Sequence, residues 1–404
     1  MNSKNNVVSV FKCKDYKLER NRVTEAISVL EDEGRLNPKV DTVFIKPNIA
    51  LAAPSFHSPE GTEPDLIAAL VQYFYERGAG KVIVGESPAW GASCHDAYRA
   101  SGIDKATLEN GGVLYDFDNA SMVTVPVDGY VMKEIALPQA IVEADLVVNV
   151  PKAKMHFLTG VTLGIKNLYG CMSYMDRKKY HREADLVYVL ADLIKAIKPG
   201  LTVIDAVRAM EGFGPHAGTE VELGLVIAGT DPLAVDIVGT KAMGVDPKSL
   251  AMYQVAQKLG LGSIDVNDVK IVGEAIDEVS KALAPPLFKY VSAHKNVDIH
   301  AGGICPGCKA RIPSVPTKID ESKKYAVIIG REPIAIRSDI EADEIWLVGN
   351  CGVRAGMAYL LRTAFIGGFK NGMPKIVKIP GCPPLDWFSE KVVFPNLREK
   401  GWMS

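Results

Sequence analysis

The sequence lacks the features that mark membrane and nucleic-acid-binding proteins. No segment of ~18 apolar residues is free of charge, so none is predicted to cross a bilayer. The first residues contain no apolar run long enough for a signal peptide. The net charge is −2 and there is no basic tail, whereas binding to a phosphate backbone requires a basic surface. We therefore expect a cytoplasmic protein whose partners include neither a membrane nor a nucleic acid.

Common cofactor and hydrolase motifs are also missing. No G-x-G-x-x-G follows a strand, and neither G-x-x-x-x-G-K-[ST], H-E-x-x-H nor G-x-S-x-G occurs. Nicotinamide, P-loop and common hydrolase chemistry therefore lack their motifs. The seven cysteines are not expected to form disulfides in a reducing compartment. They are either core residues or ligands.

The first two thirds of the chain alternate short β-branched runs with helical patterns. Strands are predicted at residues 41–47, 81–84, 146–150, 201–205 and 223–228, and helices at residues 63–77 and 184–197. Strands that alternate with helices form a mostly parallel sheet with helices on its faces. The predicted fold class is therefore α/β, with a mostly parallel sheet and flanking helices.

A second, smaller α/β domain is expected to carry a cysteine cluster. The pattern weakens around residues 262–286, and the segment 282–308 is rich in proline and glycine, which indicates a linker. Three more strands are predicted at residues 325–329, 344–348 and 375–379. We therefore place the large domain at residues 1–285 and the C-terminal domain at residues 286–404.

Four cysteines in the last quarter of the sequence are the predicted metal ligands. Cys305 and Cys308 form C-P-G-C, while Cys351 and Cys382 each follow a predicted strand. The carboxyl ends of parallel strands meet at one edge of a sheet, where sites are usually built. Glycine and proline beside each cysteine let backbone N–H groups approach cluster sulfurs. The expected cofactor is an iron–sulfur cluster.

Other interpretations of these cysteines remain open. A structural zinc site would use the same four thiolates, although zinc sites more often use two C-x-x-C pairs. Unliganded core cysteines are common, and a redox C-x-x-C would leave Cys351 and Cys382 unexplained. The strand that runs into G-C-P-P at Cys382 resembles the proximal-cluster loop of hydrogenase small subunits and their complex I relatives. That resemblance implies [4Fe–4S], with zinc as the alternative.

Polar residues gather at predicted strand ends of the large domain, which suggests a site. In PKAKMHF, Lys152, Lys154 and His156 alternate, so they point to one side if the segment is extended. Two ammonium groups and an imidazole repel one another unless an anion lies among them, so a small anionic substrate is expected. The expected substrate-binding residues are Lys46, Asn48, Lys152, Lys166 and Asn167. The expected catalytic residues are His156, His181, His216 and Lys154.

Individually, these lysines could instead form a solvated surface, and the histidines could be ordinary hydrogen-bonding residues. Asp205, Glu211 and Asp236 could orient the basic groups or bind a metal, and the sequence does not rank these options.

A resemblance to a known family runs from about Thr42 to Gly262. Its motifs, in order, are FIKPN, TEPDLIAALVQYFYERGAGKVIVGESP, NVPKAKMHFLTGVTLGIKNLYG, LTVIDAVRAMEGFGPHAG and IAGTDPLAVDIVGTKAMGVDP. They resemble domain-of-unknown-function family 362, often described as iron–sulfur proteins. Many members carry a ferredoxin-type C-x-x-C-x-x-C-x-x-x-C-P segment, which this chain lacks, so its cluster expectation rests on its own cysteines. A more distant similarity links the family to nickel-pincer lactate racemases.

Three functions are compatible with these patterns. The leading hypothesis is an iron–sulfur oxidoreductase that passes single electrons to an anionic substrate or a second cofactor. The second is a non-redox isomerase or lyase in which the cluster is structural or a Lewis acid. The third is a non-enzymatic electron carrier or maturation partner. A redox partner such as ferredoxin and a homo-oligomeric assembly are both compatible with the first.

Overall fold

The computed structural model describes ten segments of the chain. They are residues 6–49, 60–88, 93–156, 159–183, 186–215, 217–285, 296–302, 320–330, 340–365 and 372–379. The chain divides into two compact units. The first unit comprises Met1–His156, Val161–Arg177 and Val187–Pro286, and the second comprises Phe157–Gly160, Lys178–Leu186 and Leu287–Ser404. No helix in the described segments is both long and apolar enough to cross a membrane.

The chain up to residue 285 contains twelve described strands and eleven described α-helices. The strands are β1 (Val7–Lys12), β2 (Thr42–Lys46), β3 (Lys81–Val84), β4 (Val113–Leu114), β5 (Met122–Pro126), β6 (Glu134–Pro138), β7 (Leu146–Asn149), β8 (Lys152–His156), β9 (Gly160–Thr162), β10 (Leu201–Phe213), β11 (Ala217–Gly229) and β12 (Lys270–Gly273). The helices are α1 (Arg20–Asp32), α2 (Pro64–Glu76), α3 (Cys94–Ser101), α4 (Ile103–Leu108), α5 (Gln139–Val142), α6 (Gly164–Asn167), α7 (Tyr174–Glu183), α8 (Leu186–Ile197), α9 (Pro232–Ala242), α10 (Ala251–Lys258) and α11 (Ile276–Val279).

The large sheet has the strand order β12-β1-β11-β10-β7-β2-β3-β4, with β8 paired to β10 and β9 paired to β8. Every pairing along this order is parallel except the two made by β11. The mostly parallel α/β sheet predicted from the sequence is therefore confirmed. The antiparallel direction of β11 was not predicted. It follows from the short connection between β10 and β11, since a few residues can join only antiparallel neighbours.

Helix α2 shows how local sequence sets an element of this unit. Pro64 occupies the first turn, where its missing N–H costs nothing, and Asp65 adds a negative charge near the positive end of the helix dipole. Gly78 follows the helix with φ of 94°, a left-handed conformation that ends helices and favours glycine. Apolar residues along the helix pack into the core against β2 and β3. The helix therefore begins at the carboxyl edge of the sheet and places Glu63 there.

The second unit contains a four-stranded parallel sheet in the order β13-β14-β15-β16. The elements are β13 (Val297–Gly302), β14 (Tyr325–Gly330), β15 (Glu344–Val348), β16 (Lys375–Ile379) and α12 (Gly349–Phe365). Tyr325, Val327 and Ile329 pack into one apolar cluster, whereas Ala326 and Ile328 pack into another that includes α12. This alternation buries both faces of β14, which is why its sequence is apolar at every position.

One sequence interpretation of this region needs correction. The composition of residues 282–308 predicts a linker, yet residues 297–302 form β13 and pair in parallel with β14 from Val297↔Tyr325 to Gly302↔Gly330. Strand β13 was not predicted because its six residues end in glycine and resemble a loop in composition. Its pairing partner, β14, also begins more than twenty residues later in the chain. The bounds predicted for β15 and β16 agree with the structure.

A buried carboxylate on α8 holds the loop of the β5–β6 hairpin. Asp192 accepts hydrogen bonds from the backbone N–H groups of Tyr130, Val131 and Met132 at 2.7, 2.7 and 2.9 Å. Asp192→Ala would leave these three donors unsatisfied, and we expect the free energy of unfolding to fall by about 2–4 kcal/mol in urea denaturation. Asp128→Ala, an exposed control, should change it by less than about 0.5 kcal/mol. Equal midpoints for the two variants would contradict this account.

Candidate functional site

The site begins where β2 ends. Lys46 is fully buried, and its ammonium donates to the Glu86 carboxylate, to Pro47 O at 3.0 Å and to Asn167 Oδ1 at 3.1 Å. An ammonium group has three protons, so these three acceptors use all of them. Lys46 therefore holds Glu86 and Asn167 in place and has no donor left for a substrate.

Asn167 links the elements around this pair. Its Oδ1 accepts from Asn48 Nδ2 at 3.0 Å as well as from Lys46, and its Nδ2 donates to Asn149 Oδ1 at 2.8 Å. Asn149 in turn donates to Gly164 O at 2.9 Å. The amides therefore join β2, β7 and the short helix α6 in one buried network, which fixes the orientation of each side chain.

A buried carboxylate on α9, that of Asp236, holds helix α6 in place. Asp236 accepts from the backbone N–H groups of Gly164 and Ile165 at 2.6 and 3.0 Å, and burial raises its pKa to about 7. A Cβ on Gly164 would lie 2.7 Å from Asp236 Oδ1, so this close approach requires glycine. Because α6 carries Lys166 and Asn167, Asp236 positions both.

Lys152 lies in a second charge network, at the start of β8. Its ammonium is 3.1 Å from Asp205 Oδ2 and 3.3 Å from Glu63 Oε1. Arg208 Nη2 also contacts Glu63 Oε1 at 2.6 Å, and Tyr16 Oη donates to Asp205 Oδ1 at 3.1 Å. The sequence predicted an anion next to Lys152, and the protein itself supplies two carboxylates at this position.

Lys154 points into the amide network and pairs with no carboxylate within the described segments. Its Nζ donates to Asn48 Oδ1 and to Glu60 O, each at 2.7 Å. Burial lowers the pKa of Lys154 to about 7, with a further contribution from the charge of Lys152. Two of its three possible donors are used in this way, which leaves one for a ligand.

Lys166 is the second such lysine. Its ammonium lies 4.9 Å from the centre of the Tyr169 ring, a cation–π contact, and makes no hydrogen bond or ion pair to any residue the structure describes. Burial lowers its pKa to about 8, and the charges of Arg177 and Lys46 lower it further. Arg177, on α7, contacts Ser87 and Pro88 through its guanidinium.

The three histidines of the expected site have different outcomes. His156 is buried on β8, on the strand that also carries Lys152 and Lys154. His181 lies in α7, but its side chain falls outside the description. His216 lies outside the described residues. The catalytic roles of all three stay predictions.

The cysteines fall into two groups. Cys305, Cys308 and Cys382 lie outside the described residues, whereas Cys351 is in the first turn of α12, directly after β15. The remaining cysteines, Cys13, Cys94 and Cys171, are buried in the first unit, and burial raises the pKa of each thiol to about 12. A raised pKa favours the protonated thiol at neutral pH, and Cys94 Sγ also lies 3.3 Å from Asp118 Oδ1.

Several further residues of the site are not among those expected from the sequence. Glu86 follows β3 at the same sheet edge as Lys46, so its position after a strand was an available signal. Glu63 precedes α2, and Arg177 lies on α7, where no local pattern distinguishes them from surface charges. Their pairing with Lys152 and with the Ser87 loop depends on contacts across 89 and 90 residues.

Comparisons with known proteins identify the family. Residues 43–241 match the model of the family described as Domain of unknown function (DUF362). The thylakoid-associated protein sll1697 of Synechocystis sp. is 31% identical over 239 residues, which are 55% of this chain and 68% of that protein. The chain therefore belongs to the DUF362 family.

Two solved structures show limited similarity. The lactate racemase apoprotein of Thermoanaerobacterium thermosaccharolyticum aligns with a TM-score of 0.38 and 15% identity, over 61% of this chain and 59% of that one. A Thermotoga maritima protein aligns with a TM-score of 0.30 and 11% identity, over 71% of this chain and 64% of that one. The alignments span less than two thirds of either solved chain.

The lowered pKa of Lys154 predicts a pH-dependent stability. Between pH about 7 and 10.5 the unfolded chain binds the Lys154 proton and the folded chain does not, so this group makes the free energy of unfolding rise by about 1.4 kcal/mol per pH unit. Below that window the cost of the buried charge is fully present. Lys154 is surrounded by the charges of Lys152, Lys166, Glu60 and Glu86.

Lys154→Met should therefore be most stabilising, relative to the wild type, at the low end of this window. We expect its advantage to decrease as pH rises through the window, as measured by urea denaturation at a series of pH values. The exposed Lys39→Met should differ from the wild type by the same amount at every pH. A constant difference for Lys154→Met would contradict the lowered pKa.

Proposed function

We propose that this protein is an iron–sulfur oxidoreductase that acts on a small anionic substrate. The observation that carries the proposal is the position of the cysteines relative to the second sheet. In sequence, Cys305 and Cys308 lie three and six residues after the end of β13. Cys351 lies three residues after the end of β15, and Cys382 lies three residues after the end of β16. All three strands run parallel, so their carboxyl ends share one edge of the sheet.

The donor set and its surroundings fit an iron–sulfur cluster. Four thiolates are the ligands of a [4Fe–4S] cluster, and glycine or proline adjoins each cysteine. Cys351 also lies in the first turn of α12, where the helix dipole favours a thiolate. When bound, such a cluster supplies single electrons. Zinc is the alternative occupant of the same ligands.

The polar network of the first unit supports the substrate part of the proposal. In this account Lys154 and Lys166 bind the anionic group, because they are the lysines of the site that lack a carboxylate partner among the described residues. Asn48 orients Lys154 through its Oδ1. The pKa of Lys154, about 7, lets its Nζ hold or release a proton at neutral pH. His156 is a second proton-transfer candidate on the same strand.

A non-redox isomerase or lyase is the second candidate function. It is favoured by the same property of Lys154, since a proton-transfer group with a pKa near neutrality suffices for isomerisation or elimination. In that case the cysteine-bound group would have a structural or Lewis-acid role. A ferredoxin-like partner would be needed for the redox function but not for this one.

Metal analysis of the anaerobically purified protein tests the redox proposal. We expect about four irons and four sulfides per chain, with visible absorption that bleaches and an EPR signal that appears on reduction by dithionite. Cys351→Ala should lose most of the iron because one of four ligands is removed. Cys13→Ala, which changes a buried thiol outside the ligand set, should keep it. About one zinc per chain and no colour would overturn the redox proposal and leave the non-redox candidate.

A further inference from the structure

The charges of the site do not balance. Three cations pair with three carboxylates from within the protein: Lys46 with Glu86, Lys152 with Glu63 and Asp205, and Arg208 with Glu63. Glu86, Glu63 and Asp205 are each almost completely buried. The formal charges of this part of the site therefore cancel without a ligand, although Glu86 Oε1 is buried and makes no hydrogen bond to the described residues.

Three further cations contact neutral partners only. Lys154 donates to Asn48 Oδ1 and Glu60 O, and Lys166 lies over the Tyr169 ring. The guanidinium of Arg177 donates to Ser87 O, Ser87 Oγ and Pro88 O. Its Nε is buried and makes no hydrogen bond to the described residues. No carboxylate within the described segments forms an ion pair with any of the three.

These three cations are neighbours. Lys166 lies over the Tyr169 ring, and Tyr169 Oη donates to Arg177 O at 2.7 Å. Lys166 also precedes Asn167, which accepts from Asn48, the hydrogen-bond partner of Lys154. Consistent with this proximity, the charge of Arg177 lowers the pKa of Lys166, and the charge of Lys166 lowers the pKa of Lys154. The charge of Glu60 acts on Lys154 and the charge of Glu86 acts on all three groups, but within the described segments neither carboxylate forms an ion pair with them, and Glu86 already pairs with Lys46. Uncompensated charges in a partly buried region are costly, and an anion that binds among them removes the cost.

We propose that this site takes a small ligand that carries at least two negative charges, such as a dicarboxylate or a phosphate ester. The inference rests on the anion site proposed above and specifies the class of ligand that fills it. A single negative charge would compensate one of Lys154, Lys166 and Arg177 and leave the other two, of which Lys166 and Arg177 are half-buried, without a counter-charge whenever they are protonated. A dianion compensates a second cation, and the planar guanidinium of Arg177 suits carboxylate and phosphate oxygens.

Binding of matched anions tests this inference. Succinate and butyrate share a four-carbon chain but differ by one carboxylate, and methyl phosphate and methanesulfonate are tetrahedral anions of different charge. We would measure the affinity of the full chain for each by calorimetry near neutral pH and at constant ionic strength. In at least one pair the dianion should bind at least about tenfold more tightly. Equal affinities within both pairs, or no binding of either dianion, would overturn the inference.

Variants locate the binding site. Lys154→Met and Lys166→Met should each weaken the preferred dianion about tenfold or more, whereas the exposed Lys39→Met should bind it like the wild type. Dianion affinity that is unchanged in both site variants would overturn the inference. Circular dichroism verifies folding, which we expect to be retained because the substitutions remove the charge of a buried lysine, Lys154, or of a half-buried one, Lys166. Should a variant fail to fold, the comparison of matched anions on the wild type still decides.

The outcomes separate this inference from the function on which it rests. If monoanions and dianions bind equally well, and both site variants weaken that binding, the preference for a dianion is overturned but the anion site stands. No effect of Lys154→Met or Lys166→Met on any anion would overturn the anion site as well. The iron content of the second unit is independent of both results.

Discussion

The buried ammonium of Lys46 is the group on which the rest of the site depends. A charge at this depth requires a counter-charge and complete hydrogen bonding, and Glu86, Pro47 and Asn167 provide them. Those requirements bring the ends of β2, β3 and α6 together. Asn167, fixed in this way, orients Asn48, and Asn48 orients Lys154. Lys154 is therefore positioned by a chain of contacts that begins with Lys46, whose three donors are all in use.

The network separates two kinds of lysine. Lys46 and Lys152 are neutralised by internal carboxylates and serve to hold strands and side chains. Lys154 and Lys166 contact neutral groups, and burial lowers the pKa of each towards neutrality. Sites of chemistry commonly contain such groups, because a structure that only needed stability would pair or expose them. This difference is why we propose that Lys154 and Lys166, rather than all the basic residues, bind the anion, and that Lys154 transfers the proton.

Part of this could be predicted from the sequence. Strands β2 and β7 are apolar runs, and the polar residues at their ends, Lys46 as the last residue of β2 and Lys152 three residues after β7, mark the sheet edge. The counter-charges could not be predicted, because Glu63 and Asp205 approach Lys152 from positions 89 and 53 residues away. The same limit applies to β13, whose short sequence ends in glycine and is defined by its pairing with β14. Local patterns predict where strands end, but tertiary contacts decide which charges they meet.

The most direct test of the account is the protonation of the two lysines that lack carboxylate partners. Side-chain ¹⁵N resonances of Lys154 and Lys166, assigned by comparison with the Lys154→Met and Lys166→Met spectra, can be followed as a function of pH. The account predicts that they titrate with pKa values of about 7 and about 8. Titration of both near 10.5, as for exposed lysines, would contradict it. That result would mean that solvent or an unrecognised anion already compensates these charges.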